Sequence, residues 1–234
     1  MRILVTGSAR GLGLGICTAA AKRGDEVIAA CRKSTAELRA LAVRVVEGID
    51  VAEESSLQRL RDALGAEPLD TVVCNAGINV SCSSRSIDEL DLGALAKEYG
   101  VNAVGTARTV QAVLPNLGKG SKVILITTSG ETLRRNPSRG GSYGYRMSKA
   151  GINQFGFLLA SEIRPRGIAV RIISPGPVDT DMTRIIGGAG VVLARAPGQM
   201  PDIVTAGRKV LGQIDELTLE DTGSWIDQAD KRWA

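Results

Sequence analysis

The stretch that decides the fold is Ile3-Leu4-Val5-Thr6-Gly7-Ser8-Ala9-Arg10-Gly11-Leu12-Gly13, ILVTGSARGLG. An apolar run of strand character ends at Thr6. A loop with glycines in the pattern Gly-x-x-x-Gly-x-Gly follows, and a helical pattern begins near Leu12. Gly7 allows a sharp turn. Gly11 and Gly13 let backbone approach a pyrophosphate and let the helix pack on the sheet. The helix N-terminus then faces the phosphate charge. Ser8, Arg10 and Leu12 lie in the same loop. A P-loop is excluded, because no Gly-Lys-Ser/Thr follows at the required spacing.

Outward from this loop, short apolar runs alternate with helical patterns. Strands are expected at residues 3–6, 27–30, 43–46, 71–74, 122–127 and 169–173, with a last short one at Trp225 and Ile226. Each of the six longer runs is apolar on both faces, which fits parallel strands covered on both sides. Helices are expected at residues 12–23, 35–40, 55–64, 145–163, and as one long element from Ile87 towards Leu114. Alternation of this kind predicts a doubly wound α/β sheet, a Rossmann fold, with residues 1–234 forming a single domain. Residues 131–142 and 183–200 read as irregular segments beside the site.

Ligands of such sheets bind beyond the carboxyl ends of the strands. After the second strand come Cys31, Arg32 and Lys33, after the third Asp50, and after the fourth Asn75-Ala76-Gly77. Ser129 follows the fifth strand and Pro175-Gly176-Pro177 the sixth. An NAD site places a carboxylate at the second strand end to accept from the ribose 2′-hydroxyl. Cys31 stands there instead, with Arg32 and Lys33 beyond it and Arg10 in the glycine loop. Guanidinium groups bind a 2′-phosphate with paired hydrogen bonds, so NADP(H) is the expected cofactor. A methyltransferase on a related sheet would also need an acidic residue at that strand end.

Composition narrows the rest. With 44% hydrophobic residues, the 234-residue chain can bury a sizeable core. A net charge of +4 and 3% aromatics offer no base-stacking surface, so nucleic acid is not an expected partner. No apolar run approaches the ~18 residues of a membrane span, and the N-terminal run is too short for a signal peptide. Four cysteines without disulfide or zinc spacing suggest reduced thiols and a cytoplasmic location. Histidine is absent, which removes histidine triads and histidine-ligated metals. No metal site is expected.

Proton chemistry must therefore use other groups, and Ser142–Ala150, SYGYRMSKA, supplies a pair. Tyr145 and Lys149 are four apart on a helix and share one face. A free phenol titrates near ~10, and moving it to about 7 requires roughly 4 kcal/mol of preference for phenolate. An ammonium and an oxidised nicotinamide nearby in a partly dry cleft can supply that. For carbonyl reduction the neutral phenol donates its proton directly. Tyr143 has Met147 at the same spacing and lacks the cation.

Together these residues resemble the short-chain dehydrogenase/reductase family over essentially the whole chain. The resemblance rests on Thr6-Gly7-x-x-x-Gly11-x-Gly13, Asp50-Val51, Asn75-Ala76-Gly77, Asn102 in YGVNAVGT, Ser129, Tyr145-x-x-x-Lys149 and Pro175-Gly176-x-Val178-x-Thr180. YGYRMSKAGIN and the gap from Ser129 to Tyr145 look most like its carbonyl-reductase and C-factor-like branch. The resemblance implies Tyr145 as acid/base. Lys149 would hold the nicotinamide ribose and tune Tyr145, and Ser129 would hydrogen-bond the substrate carbonyl. It implies Asn102 in a helix irregularity holding a water, Asp50 at the adenine, Asn75 at the adenosine side and Thr180 at the carboxamide. The neighbouring Val51, Ala76, Gly77, Pro175, Gly176 and Val178 would complete the cofactor cleft.

Two departures stand out. Thr127-Thr128-Ser129 replaces the double serine of many relatives, so Thr128 is a second candidate hydroxyl. The long connection before Tyr145 carries Arg134, Arg135 and Arg139, which read as a solvated basic loop or, if they border the cleft, would favour an anionic substrate. Phe155 and Phe157 on the Tyr145 helix either pack in the core or line a subunit interface, and a homodimer or homotetramer is expected. The leading functional expectation is NADPH-dependent reduction of a ketone or aldehyde. Its rival is a cofactor-binding regulatory or signalling protein with little turnover, for which an intact Ser129–Tyr145–Lys149 group would serve no purpose.

Overall fold

The computed structural model describes residues 1–82, 86–129, 141–188 and 199–228. Among these residues seven strands form one sheet: β1 (Arg2–Thr6), β2 (Glu26–Ala30), β3 (Arg44–Val46), β4 (Leu69–Cys74), β5 (Leu117–Ile126), β6 (Ala169–Ser174) and β7 (Ser224–Asp227). Their order is β3-β2-β1-β4-β5-β6-β7, and every pair is parallel. The chain steps outward from β1 to β3, then restarts on the other side of β1 with β4. The crevice of an open sheet lies where the order reverses, here between β1 and β4.

The helices are α1 (Gly11–Arg23), α2 (Ala36–Arg39), α3 (Glu54–Leu64), α4 (Leu92–Tyr99), α5 (Gly105–Val113), α6 (Tyr143–Ile163), α7 (Asp181–Gly188) and α8 (Ile203–Asp215). Alternate strand residues feed two cores, one per sheet face. Leu4, Ile28, Val72, Cys74, Val123 and Leu125 pack with Leu57 and Leu60 of α3, Val113 of α5 and Ile152 of α6. Ile3, Val5, Val27, Val73, Ile124 and Ile126 pack with Ile16 and Cys17 of α1 and Val210 and Ile214 of α8. Both faces are buried, as the unbroken apolar runs require.

The expected strands all form, but two helical expectations change and one helix is new. The long element from Ile87 is not continuous, and one of its breaks is the helix irregularity that the resemblance implies at Asn102. It runs as a short 3₁₀ turn at Ile87–Glu89, then α4, then a π-helical segment at Gly100–Val104, then α5. Of the segment 183–200, residues 183–188 are helical as part of α7 (Asp181–Gly188), and residues 189–198 lie outside the described residues. Thr180 starts α7: its hydroxyl accepts from the Thr183 amide at 3.3 Å. Finally, α8 forms without having been anticipated. It packs on α1 with almost no gap, since a Cβ on Gly15 would strike the Ile203 carbonyl and one on Gly207 the Gly15 carbonyl. Asp202 caps α8, accepting from the amides of Val204 and Thr205 at 2.9 Å each.

Two cations finish the other end of α8. Buried Arg171 of β6 donates to the Gln213 carbonyl at 2.7 Å, and Lys122 of β5 donates to the Ile214 carbonyl at 2.5 Å. The last carbonyls of a helix have no partners within it, and cations there also oppose its dipole. Burial holds both cations' pKa values below their ordinary range, with nearby carboxylates opposing.

Candidate active site

The glycine turn and the end of β4 are built as one piece. Gly7 has φ +65°, and a Cβ there would lie 2.7 Å from the Ala76 Cα. A Cβ on Gly13 would strike the Gly7 carbonyl. The Asn75 amide donates to the carbonyls of Thr6 and Gly7 at 3.0 and 3.3 Å, while the Thr6 hydroxyl accepts from the amides of Asn75 and Ala76. Asn75 thus ties the first turn across the switch point. Ser8 is buried and donates to the Ala30 carbonyl at 3.1 Å, so its hydroxyl holds the loop to β2.

Above this turn stands the N-terminus of α1. Its N-cap is Arg10, which makes no side-chain cap bond, so no cap side chain competes for the first-turn amides. Gly11, at φ +56°, sits against Thr180, whose methyl would lie 3.5 Å from an added Cβ. The loop after β6 carries Pro175, Gly176 at φ +70° and buried Val178 to the same place. A helix end with uncapped amides, approached by glycine backbone and closed by Thr180, fits the diphosphate of a dinucleotide. Leu12 is half-buried behind it.

At the β2 end Arg10, Arg32 and Lys33 are all exposed. Among the described residues neither Arg10 nor Arg32 has a side-chain hydrogen-bond or ion-pair partner. The structure adds two residues that strand-end reading missed. Arg39 donates to the Ser34 hydroxyl at 2.7 Å, and Glu47 accepts from the Ser34 amide at 2.8 Å. Hydrogen bonding from Ser34 holds the Glu47 carboxyl below the usual carboxylate range. Glu47 directly follows β3, so no spacing after β2 could reveal it. Asp50 folds back on itself, its carboxylate accepting from the Ala52 amide at 3.0 Å, and buried Val51 backs against Gly105.

Tyr145 and Lys149 of α6 meet at the end of β5. Lys149 is buried, at 3% exposure, and its ammonium donates to the Ile126 carbonyl at 2.8 Å. The same nitrogen lies 5.6 Å from the centre of the Tyr145 ring. It also faces the β4 end: a Cβ on Gly77 would be 3.5 Å from it and 3.2 Å from the Asn102 side-chain oxygen. Ser129, half-buried, follows β5 three residues beyond Ile126, with half-buried Thr128 before it. Thr127 is buried and donates to the Lys149 carbonyl at 3.5 Å. Burial pushes the Cys74 thiol beneath Lys149 up to about 12, against a smaller opposing pull from the ammonium.

Asn102 lies in the π-helical segment, fully buried. It grips Ile78 twice, accepting from its amide at 2.8 Å and donating to its carbonyl at 2.9 Å. It also donates to the Ser148 hydroxyl at 2.9 Å, which in turn donates to the Tyr145 carbonyl at 2.7 Å. Ser148 was not anticipated. The signal was present, a hydroxyl three residues after Tyr145 inside the Tyr-x-x-x-Lys pattern. Arg134, Arg135 and Arg139 lie outside the described residues.

Comparison with known proteins agrees with this architecture. Residues 1–188 match the family model described as short chain dehydrogenase. The chain belongs to the short-chain dehydrogenase family. Family members are oxidoreductases that use a nicotinamide cofactor. The chain is 32% identical over 223 residues to 1-hydroxy-2-glutathionyl-2-methyl-3-butene dehydrogenase of Rhodococcus sp. (strain AD45), covering 94% of this chain and 93% of that protein. It is 34% identical to the C-signal protein of Myxococcus xanthus over 68% of this chain and 89% of that one. A short chain dehydrogenase from Burkholderia cenocepacia J2315, solved in complex with NADP, superimposes with a TM-score of 0.78 at 26% identity, covering 97% of this chain and 95% of that one. Among the described residues, no helix is long and apolar enough to cross a membrane.

Proposed function

We propose that this short-chain dehydrogenase reduces a ketone or aldehyde to an alcohol with NADPH, reversibly, with Tyr145 as the acid and base. The carrying observation is the buried Lys149 ammonium, 5.6 Å from the Tyr145 ring centre and anchored to the Ile126 carbonyl at the sheet rim. A buried charge is costly unless it is paired and hydrogen-bonded. Placing one beside a phenol stabilises that phenol's anion, which is what a proton donor near neutral pH needs.

NADP(H) fits the cleft through the uncapped N-terminus of α1 and the glycine backbone at Gly11. Arg10 and Arg32 are free to meet a 2′-phosphate, and Cys31 leaves no carboxylate at the β2 end itself. When bound, the cofactor supplies or accepts the hydride. The chain's own residues do the rest. Tyr145 gives its proton to the carbonyl oxygen. Ser129, with Thr128 beside it, orients that oxygen. Lys149 holds ribose hydroxyls and favours the phenolate. Asn102 and Ser148 fix the turn of α6 that carries Tyr145. The alcohol-oxidising direction uses the same groups and is the one named for the Rhodococcus relative. The whole chain, 1–234, acts as one catalytic unit and assembles as a homodimer or homotetramer.

NADPH consumption over a panel of ketones and aldehydes tests this reading. The wild type should turn over at least one substrate, and Tyr145→Phe should lose about 100-fold or more of kcat with little change in NADPH affinity. A regulatory or signalling role is the second reading, favoured by the similarity to C-signal. It predicts tight NADPH binding with no Tyr145-dependent turnover.

A further inference from the structure

Outside the groups already assigned, one charged side chain among the described residues is wholly buried beside the site. Glu98 of α4 is 0% exposed. One carboxylate oxygen accepts from the Val80 and Ser81 amides at 2.5 and 2.9 Å, and the other from the Ser81 hydroxyl at 2.7 Å. Four residues later Asn102 holds Ile78 by both its amide and its carbonyl. Two side chains spaced by one helical turn therefore grip the segment leaving β4 at three of four successive residues. The remaining one, Asn79, donates to the Ser142 hydroxyl at 3.3 Å. Ser142 is the N-cap of α6 and, among the described residues, the one non-glycine residue at positive φ, +51°.

The carboxylate also touches α6 directly. A Cβ on Gly144 would run into a Glu98 oxygen and lie 2.7 Å from the Leu95 Cα. Gly144 immediately precedes Tyr145. Glu98 is thus wedged between the loop after β4 and the first turn of the helix that carries the acid. Backbone amides on successive residues make a concavity suited to an anion. The positive end of α6 adds to that preference. An amphipathic surface helix has no need of a buried carboxylate, so its presence here calls for a role in the loop it binds.

We propose that Glu98 is a positioning residue: by clamping residues 78–81 against the first turn of α6 it sets where the Tyr145 hydroxyl meets the substrate carbonyl. This rests on the reading of Tyr145 as the acid. It acts through Gly144 and the Asn79–Ser142 bond, and touches neither cofactor nor substrate.

The test compares wild type, Tyr145→Phe, Glu98→Ala, Glu98→Gln and Ser81→Ala as full-length protein. If wild type shows no Tyr145-dependent turnover, the functional reading fails. The clamp is then still read by hydrogen exchange, which should speed up at the Val80 and Ser81 amides and in the first turn of α6 in Glu98→Ala. If turnover is present, Glu98→Ala should lose about 10- to 100-fold of kcat per folded molecule, with NADPH affinity within about twofold of wild type. Glu98→Gln, whose carbonyl still accepts both amides, should recover kcat to within about threefold. Ser81→Ala removes one of the three bonds, should keep the fold and should cost about threefold in kcat, which keeps the test open if Glu98→Ala does not fold. An unchanged kcat with only a lowered Tm, an equal loss of kcat and NADPH affinity, a glutamine variant as inactive as alanine, or unchanged exchange at Val80 and Ser81 would each overturn the proposal.

Discussion

At the scale of single residues, the site depends on charges placed where water is scarce. Lys149 is the clearest case. Its ammonium is buried, takes the Ile126 carbonyl as partner, and stands near one phenol. The cofactor preference rests on a different set, Arg10 and Arg32 at the exposed β2 end. Arg32→Asp places a carboxylate where a 2′-phosphate would sit and removes a charge-assisted bond. Such bonds are worth about 1.5–3 kcal/mol, so NADPH should weaken by about 10- to 150-fold while NADH is nearly unaffected. Fluorescence titration with both cofactors checks this, and an unchanged preference would remove Arg32 from the site.

Much of this residue-scale picture was legible in the sequence. Spacing alone put Tyr145 and Lys149 on one helical face, and glycine spacing marked the turn at Gly7. What stayed hidden came from other elements. Glu47 reaches Ser34 from the end of β3, one residue beyond the strand, and Glu98, inside the charged stretch Ala-Lys-Glu-Tyr, reads as a solvated surface residue. No local pattern shows that its carboxylate turns inward to bind a loop almost twenty positions earlier in the chain. Asn75 was legible as a residue at the β4 end, but its bonds to Thr6 and Gly7 belong to the turn itself.

At the scale of elements, two features decide how the site is presented. The π-helical segment at Gly100–Val104 interrupts what reads as one helical pattern. Apolar periodicity cannot show such an interruption, because one extra residue rotates the face without ending the helix. That rotation accompanies a buried Asn102 facing Ile78 and Ser148. The second feature is α8, which escaped sequence reading because Gly207 and Gly212 weaken its pattern. Structure gives Gly207 a reason: it lets α8 meet the backbone of α1 at Gly15. Alanine is intrinsically better in a helix by about 1 kcal/mol, yet its Cβ would meet backbone here. Gly207→Ala should therefore lower stability by about 1–3 kcal/mol. Urea unfolding should show a lower midpoint at unchanged slope. A stabilised variant would mean that the two helices have room to part.

At the scale of the whole molecule, the sheet order places every predicted strand end along one rim, with the switch point between β1 and β4 at the glycine turn. This much follows from alternation of strands and helices, and it was visible from the first loop outward. Subunit contacts were not. Of the two phenylalanines on α6, Phe155 packs against the core, whereas Phe157 is 48% exposed beside Leu158 at 62%. Met147, 50% exposed, lies on the same helix. Light scattering should report a dimer or tetramer, and Phe157→Glu with Leu158→Glu should shift it towards monomer without unfolding it. A wild type that is monomeric at assay concentration would contradict this.

The proposed reaction requires hydride and proton to meet at one carbonyl. The most direct measurement uses NADPH with deuterium at both C4 positions of the nicotinamide and a ketone that the wild type accepts, and reads the alcohol by mass spectrometry. Deuterium should appear on the carbinol carbon with wild type and fall to background with Tyr145→Phe at saturating cofactor. Label transfer that persists undiminished without the Tyr145 hydroxyl, or none with wild type although NADPH is bound, would contradict the central claim.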